Sequence, residues 1–195
     1  MNVPQRIVLA SQSPRRLGLL LQIGVIPEVI ASSVVEVFDP GLSPADNAKK
    51  LALAKAVDVG KQIDSGLVIG ADTIVILNSE LLGKPVDHSD AIRMLRMLSG
   101  CTHTVITGFA LLERPSNRFV QESETTLVTF RNIPDEEIAR YVEGGSPFDK
   151  AGAYGIQDDY GAVFVSRVEG CFYNVVGLPL SRFHTTLCEF SKGNP

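Results

Sequence analysis

The sequence predicts an α/β fold with a mixed β-sheet and flanking helices. Three observations carry that reading. Leu67–Leu77 (Leu-Val-Ile-Gly-Ala-Asp-Thr-Ile-Val-Ile-Leu) is an apolar, mostly β-branched run, the composition of a strand covered on both faces. Thr102–Glu113 and Arg118–Phe130 are long strand patterns around a Pro115-Ser116-Asn117 turn, which reads as an antiparallel hairpin. Capped segments with apolar spacings of three and four are interleaved with these strands. The 195 residues suit a single domain spanning residues 1–195, and 45% hydrophobic residues suffice for a core.

In chain order, Arg6–Ala10 reads as a buried strand. Ser13 is an N-cap and Pro14 a first helical residue, so a helix starts there and stops at Gly24. Glu28–Ser32 is a short strand, and Ser33–Leu42 a loop holding Glu36 and Asp39. Ser43 and Pro44 repeat the cap and open a helix to about Asp64, with Ala48, Leu51, Ala52, Ala56 and Val59 on its core face. Lys49, Lys50 and Lys55 are read as solvated charges of that helix. After Leu67–Leu77 come an Asn78-Ser79 turn, a hairpin arm at Glu80–Leu82 and a tight Gly83-Lys84-Pro85 connection. Ser89 is expected to cap a helix that ends at Gly100. After the hairpin, Pro134 with Asp135, Glu136 and Glu137 opens a helix closed by Gly144-Gly145. Pro147–Gln157 is a Gly-rich loop. Ala162–Val168 and Phe172–Val176 are read as strands, and Pro179 starts a C-terminal helix to about Phe190.

Asp72 interrupts the apolar run Leu67–Leu77. A carboxylate in a buried strand costs several kcal/mol unless it is paired, hydrogen-bonded or metal-bound, so it marks a functional position. Gly70 and Ala71 leave room beside it. A second anomaly is Ser11-Gln-Ser-Pro-Arg-Arg16. Two arginines in a helix's first turn oppose the dipole, but with free N–H groups and hydroxyls they make an anion site. The unexplained polar residues are Ser11, Ser13, Arg15, Arg16, Glu36, Lys55, Asp72, Lys84, Asp149, Lys150 and Gln157. Their cations suit a polyphosphate, and their carboxylates suit a hard oxygen-seeking cation such as Mg²⁺. No Ser–His or Cys–His nucleophile pair is evident, and the inventory allows water attack on a phosphoanhydride with a carboxylate base and a metal.

Other classes are disfavoured. The net charge is −4 with no basic block, so nucleic acid is not an expected partner. No apolar run reaches the ~18 residues of a membrane span, and the N-terminus lacks a signal-peptide layout. Neither nucleotide fingerprint, G-x-x-x-x-G-K-[ST] or G-x-G-x-x-G, occurs. Cys101, Cys171 and Cys188 lack CxxC spacing and read as reduced, buried thiols of a cytoplasmic protein. His88, His103 and His184 have no metal-ligand spacing and read as non-catalytic.

Ser11-Gln-Ser-Pro-Arg-Arg16, Gly70-Ala-Asp-Thr73, Gly83-Lys-Pro85, Asp149–Gln157 and Asn174-Val-Val-Gly-Leu-Pro-Leu180 together resemble the Maf family of nucleoside triphosphate pyrophosphatases, in the family's order and over nearly the whole chain. The resemblance implies a fold like that of inosine triphosphate pyrophosphatases, an elongated mixed sheet with two lobes around a cleft. It implies hydrolysis of a nucleoside triphosphate to monophosphate and pyrophosphate with a divalent cation, Mg²⁺ or Mn²⁺. By position, Asp72 matches the proton acceptor and, with Glu36, the metal-handling positions. Arg15, Thr73 and Gln157 match the substrate-discriminating positions. Ser11, Ser13, Arg16, Lys55 and Lys84 match the phosphate-binding set. Val35 stands where relatives often carry a second acid, and Gln12 is larger than the usual residue between the serines.

The pattern at Arg15, Thr73 and Gln157 resembles the family branch acting on dTTP, UTP and modified pyrimidines, and differs from the branch preferring 7-methyl-GTP, which has Trp at the first position and Gln at the second. An amide can pair with the N3–H and carbonyl groups of uracil or thymine and penalises a base that leaves it unpaired. The competing readings are a 7-methyl-GTP-type enzyme and a nucleotide-sensing division regulator with incidental hydrolysis. The expected partner is a small-molecule nucleotide, with no nucleic acid and no membrane. A homodimer and a house-cleaning role follow from the resemblance alone.

Overall fold

Most helices begin where the sequence supplies a cap. The computed structural model describes residues 6–157 and 160–193, apart from the side chain of Ser146. Ser13 caps α1 (Pro14–Gln22) and Ser43 caps α2 (Pro44–Gly60), each hydroxyl accepting from the N–H three residues on. The cap of α3 (His88–Leu98) is Asp87, not Ser89; its carboxylate accepts from Asp90 N at 2.8 Å. A charged acceptor suits the positive end of the helix, so α3 starts earlier than the hydroxyl suggests. Pro134 precedes α4 (Asp135–Glu143), taking the cap position rather than the first helical one. Pro179 does the same for α6 (Leu180–Ser191).

Seven strands form one mixed sheet: β1 (Ile7–Leu9), β2 (Glu28–Val29), β3 (Gly66–Leu77), β4 (Glu80–Leu82), β5 (Thr102–Arg114), β6 (Phe119–Phe130) and β7 (Val165–Glu169). Their order is β2-β1-β3-β5-β6-β7, with β4 also on β3. β1 is parallel to β2 and to β3, where Leu9 pairs with Ile69. β4 is antiparallel to β3, and β7 to β6. β3 runs unbroken through Asp72, and Val68, Ile69 and Ala71 are fully buried, as its apolar run predicts.

Two predicted strands are corrected. Phe172–Val176 is a short helix, α5. Its Asn174 is fully buried and donates Nδ2–H to the Val105 carbonyl and to Thr126 Oγ1, each at 3.0 Å. Those tertiary bonds override the β propensity of Phe, Tyr and Val. Ala162–Val168 is divided between a 3₁₀ turn, Tyr160–Phe164, and β7. The turn delivers the buried Phe164 ring to Phe130 and Tyr141. The three cysteines are free, as expected, but partly exposed rather than buried, because they sit at a strand entry, in a turn and on α6. Among the described residues no helix is long and apolar enough to cross a membrane.

The chain divides into two compact units. Unit 1 holds the described residues through Asp72, Thr107–Glu124 and the segment from Gly177 onward. Its core joins Val8, Val68 and Ala110 of the sheet to Ala52, Ala56 and Val59 of α2. Unit 2 holds Thr73–Ile106 and Thr125–Val176, with a core of α3, α4 and the rings of Phe130, Tyr154 and Phe164.

Candidate active site

Two glycines let α2 approach the sheet in unit 1. A Cβ on Gly70 would stand 2.0 Å from the Ala52 carbonyl oxygen, and one on Gly108 would stand 2.3 Å from the Ala48 carbonyl carbon. Backbone thus lies directly against backbone, which only glycine permits. The room beside Gly70 is taken by α2. Alternate residues of a strand share a face, so Asp72 lies on the α2 side of β3. Lys55 of α2 reaches it, with Nζ 2.6 Å from Asp72 Oδ1 and 2.6 Å from Glu36 Oε1. Lys55 and Asp72 are buried, whereas Glu36 is about half exposed. This corrects the solvated reading of Lys55: Lys49 and Lys50 pair near the surface with Asp46 and Asp39, but Lys55 shares the α2 face that packs on β3.

Burial raises the affinity of the Asp72 carboxyl for a proton above the ordinary carboxylate range. Lys55 and Arg16 oppose that rise, and Glu36 adds to it. A carboxyl so placed is suited to accept a proton.

The loop carrying Glu36 is fixed at both ends by α2. Asp58 accepts from Ser32 Oγ, Ser33 N and Ser33 Oγ at 3.0, 2.8 and 3.1 Å. Asn47, almost fully buried, accepts from Asp39 N at 2.8 Å and donates to the carbonyls of Asp39, Leu42 and Ser43. Sequence reading missed both residues. An Asn in the first turn of a helix, facing a polar loop, is the signal that could have found Asn47.

At the start of α1, Ser11 Oγ accepts from Ser13 N at 3.2 Å and from Arg16 Nη1 at 3.1 Å. Arg16 Nε donates to the Gly177 carbonyl at 2.9 Å, and Arg16 N to Ser13 Oγ at 3.4 Å. Burial lowers the pKa of the Arg16 guanidinium; Asp72 and Glu36 raise it, and Arg15 lowers it. Arg16 therefore shares one electrostatic neighbourhood with the two carboxylates, and it stays charged. Gly177, at φ +130°, was legible only as part of a motif. Unit 1 thus brings together Ser11, Ser13, Arg15, Arg16, Glu36, Lys55 and Asp72.

Unit 2 carries Thr73, Lys84, Asp149, Lys150 and Gln157. Lys84 is exposed, and Lys150 pairs with Asp149 at 2.7 Å. The Gly152 N–H donates to the Gly83 carbonyl at 3.0 Å, tying the loop before Gln157 to the loop of Lys84. Gln157 Oε1 is buried with no hydrogen-bond partner among the described residues. A buried acceptor left unpaired is costly and points to a donor supplied from outside.

The donor set also bears on a metal. Lys55 engages one oxygen of each carboxylate, Glu36 and Asp72. Mg²⁺ is held by one or two carboxylates with phosphate oxygens and waters, and that set fits. Among the described residues no cluster of three or more His, Cys, Asp and Glu side chains able to hold a metal is found.

A family model described as Maf-like protein matches residues 6–190. The chain belongs to the Maf family. Curated relatives of this Maf protein are named dTTP/UTP pyrophosphatase. That of Geobacter sulfurreducens is 50% identical over 175 residues, 90% of this chain and 91% of the relative. That of Caldicellulosiruptor saccharolyticus is 44% identical over 187 residues, 94% of each chain. That of Pelotomaculum thermopropionicum is 45% identical over 186 residues, 95% of this chain and 97% of the relative. The mixed sheet with flanking helices agrees with the fold class expected of a Maf protein.

Proposed function

We propose that this Maf protein is a nucleoside triphosphate pyrophosphatase that hydrolyses dTTP and UTP to the nucleoside monophosphate and pyrophosphate. The observation that carries the reading is its 44–50% identity, over at least 90% of the chain, to relatives bearing that name. The geometry supplies a chemistry for it. Asp72 takes the proton of a water as its oxygen bonds to the α-phosphorus. The bond from that phosphorus to the α–β bridging oxygen breaks, and pyrophosphate leaves with the electron pair. Lys55 holds Asp72 in place and offsets its charge. Arg16, fixed by Ser11 and Gly177, presents positive charge beside the carboxylates; Ser13 and Lys84 complete the phosphate-binding set assigned by resemblance.

Glu36 and Asp72 are the residues that would hold a divalent cation, Mg²⁺ or Mn²⁺, which when bound supplies charge neutralisation to the triphosphate. Arg15, Thr73 and Gln157 are assigned to base discrimination. Gln157 Oε1, which has no donor among the described residues, supports that assignment, since the N3–H of uracil or thymine is such a donor. The reading extends, on resemblance alone, to a single catalytic domain in a cytoplasmic homodimer.

The test is pyrophosphate release with Mg²⁺ or Mn²⁺ from dTTP, UTP, 5-methyl-UTP, CTP, GTP, ITP and 7-methyl-GTP. Turnover of dTTP and UTP, with monophosphate as the other product, is expected. A preference for 7-methyl-GTP overturns the roles of Arg15, Thr73 and Gln157. Tight dTTP binding without metal-stimulated turnover overturns the enzymatic reading.

A further inference from the structure

Unit 2 contains a buried polar pair that the proposed chemistry does not use. His103, on β5, is 1% exposed, and its Nε2 lies 2.8 Å from Tyr154 Oη. Tyr154 is also buried. The two rings and Phe130 form a mutual edge-to-face cluster, with centroids 4.7–5.4 Å apart and interplanar angles of 82–90°. Such packing fixes ring orientation as well as position.

Tyr154 ends a clamped segment. Gly152 and Ala153 both have left-handed backbone, φ +72° and +62°. For alanine that conformation is strained and persists only where surroundings impose it. The surroundings are evident: Gly152 N–H is held by the Gly83 carbonyl, Ala153 is fully buried, and a Cβ on Gly152 would stand 3.1 Å from Val75 Cγ1. Three residues beyond Tyr154 is Gln157, whose buried Oε1 has no partner among the described residues. An acceptor that discriminates bases must be held still before the base arrives; Ile156 packs against the same core, and the Tyr154 hydroxyl is the polar anchor nearest to Gln157 in this segment.

We propose that His103 is a positioning residue for Gln157, acting through Tyr154. The proposal rests on the reading of Gln157 as a base-discriminating residue. The Tyr154 O–H donates to His103 Nε2, so the ring of a neutral His103 carries its own proton on Nδ1, which has no partner among the described residues. The alternative tautomer would leave the tyrosine proton unpaired as well. Burial depresses the His103 pKa to about 4, so the ring is neutral at neutral pH, as an acceptor must be. A phenylalanine at position 103 would preserve ring packing and remove the acceptor. A large side chain there serves packing; a histidine serves to hold the phenol.

The experiment compares wild type, Tyr154→Phe, His103→Gln, the double variant His103→Phe/Tyr154→Phe and Gln157→Ala as full-length proteins. KM and kcat are measured for dTTP and CTP, and amide hydrogen exchange is followed for Gly152–Gln157 and for β5. In Tyr154→Phe and His103→Gln, KM for dTTP is expected to rise about tenfold with kcat within about threefold. The dTTP/CTP preference should fall about tenfold, toward that of Gln157→Ala. Exchange at Gly155–Gln157 should quicken about tenfold, with β5 unchanged. The double variant, which leaves neither group unpaired, should regain stability but not the preference.

Unchanged preference and unchanged exchange in the folded single variants overturn the proposal. So does a double variant with wild-type preference. If Gln157→Ala itself keeps the wild-type preference, the base-reading role of Gln157 fails, and the proposal fails with it. If Gln157→Ala loses preference while the His103 and Tyr154 variants keep it, only the positioning role fails. Hydrogen exchange decides the matter even for variants without turnover.

Discussion

Lys55 Nζ lies 2.6 Å from Asp72 Oδ1, with both side chains buried. Burial raises the proton affinity of Asp72 and the neighbouring Lys55 opposes that rise, so removing the lysine would leave a buried carboxyl without its partner.

Asp72→Asn tests the proton acceptor. The amide oxygen still accepts from Lys55, so the site keeps its shape. Pyrophosphate release should fall ~10²–10⁴-fold, the scale of a lost general base. Near-wild-type turnover would remove Asp72 from that role.

Lys55→Met tests the pair itself. Asp72 would remain buried without its partner, and breaking such a pair costs about 3–5 kcal/mol. Urea unfolding should show that loss. In Lys55→Met/Asp72→Asn the carboxylate left without Lys55 is the half-exposed Glu36 rather than the buried Asp72, so the double variant should be more stable than Lys55→Met alone. Additive losses would show that the pair does not act as a unit.

Gly70→Ala and Gly18→Ala should move stability in opposite directions. The new methyl at Gly70 would collide with the Ala52 carbonyl oxygen at 2.0 Å, backbone that has nowhere to go. Overpacking of this kind costs about 1–3 kcal/mol or more, and it would push α2 and Lys55 away from Asp72. At Gly18, in the middle of α1, a methyl meets nothing within 4 Å. There the change should stabilise by about 0.5–1 kcal/mol through helix propensity. Denaturant midpoints with a constant m-value read both.

His103 makes stability depend on pH. Its folded-state pKa, about 4, lies below the unfolded value of 6.5. Between those values the unfolded chain binds the proton and the folded chain does not. Stability therefore falls as pH drops from about 6.5 to about 4, by at most on the order of 3 kcal/mol, and levels off below. Urea midpoints across this range should show the slope, and His103→Gln should flatten it.

Much of this was legible because local chemistry and tertiary context agree. The β3 run, the Ser13 and Ser43 caps and the hairpin needed no long-range information. Asp72 announced itself by being charged inside an apolar strand. Lys55 did not: among three lysines on one helix, burial depends on where a second element lies, and that was written in Gly70 and Gly108, residues that look like strand defects. Phe172–Val176 misled because its β-forming composition competes with Asn174, whose partners Val105 and Thr126 are 69 and 48 residues away. Asn47 and Asp58 escaped because a side chain that holds a loop looks like any polar residue on a helix.

The bond from Arg16 Nε to the Gly177 carbonyl spans 161 residues. The ribosome makes the first turn of α1 long before the carbonyl that anchors it. A nascent chain therefore carries the α1 turn without this anchor while the next 161 residues are made, and the bond closes only when the residues around Gly177 have left the exit tunnel. Contacts of such sequence separation are closed late and slowly. A truncated translation product ending before Gly177 would lack this anchor.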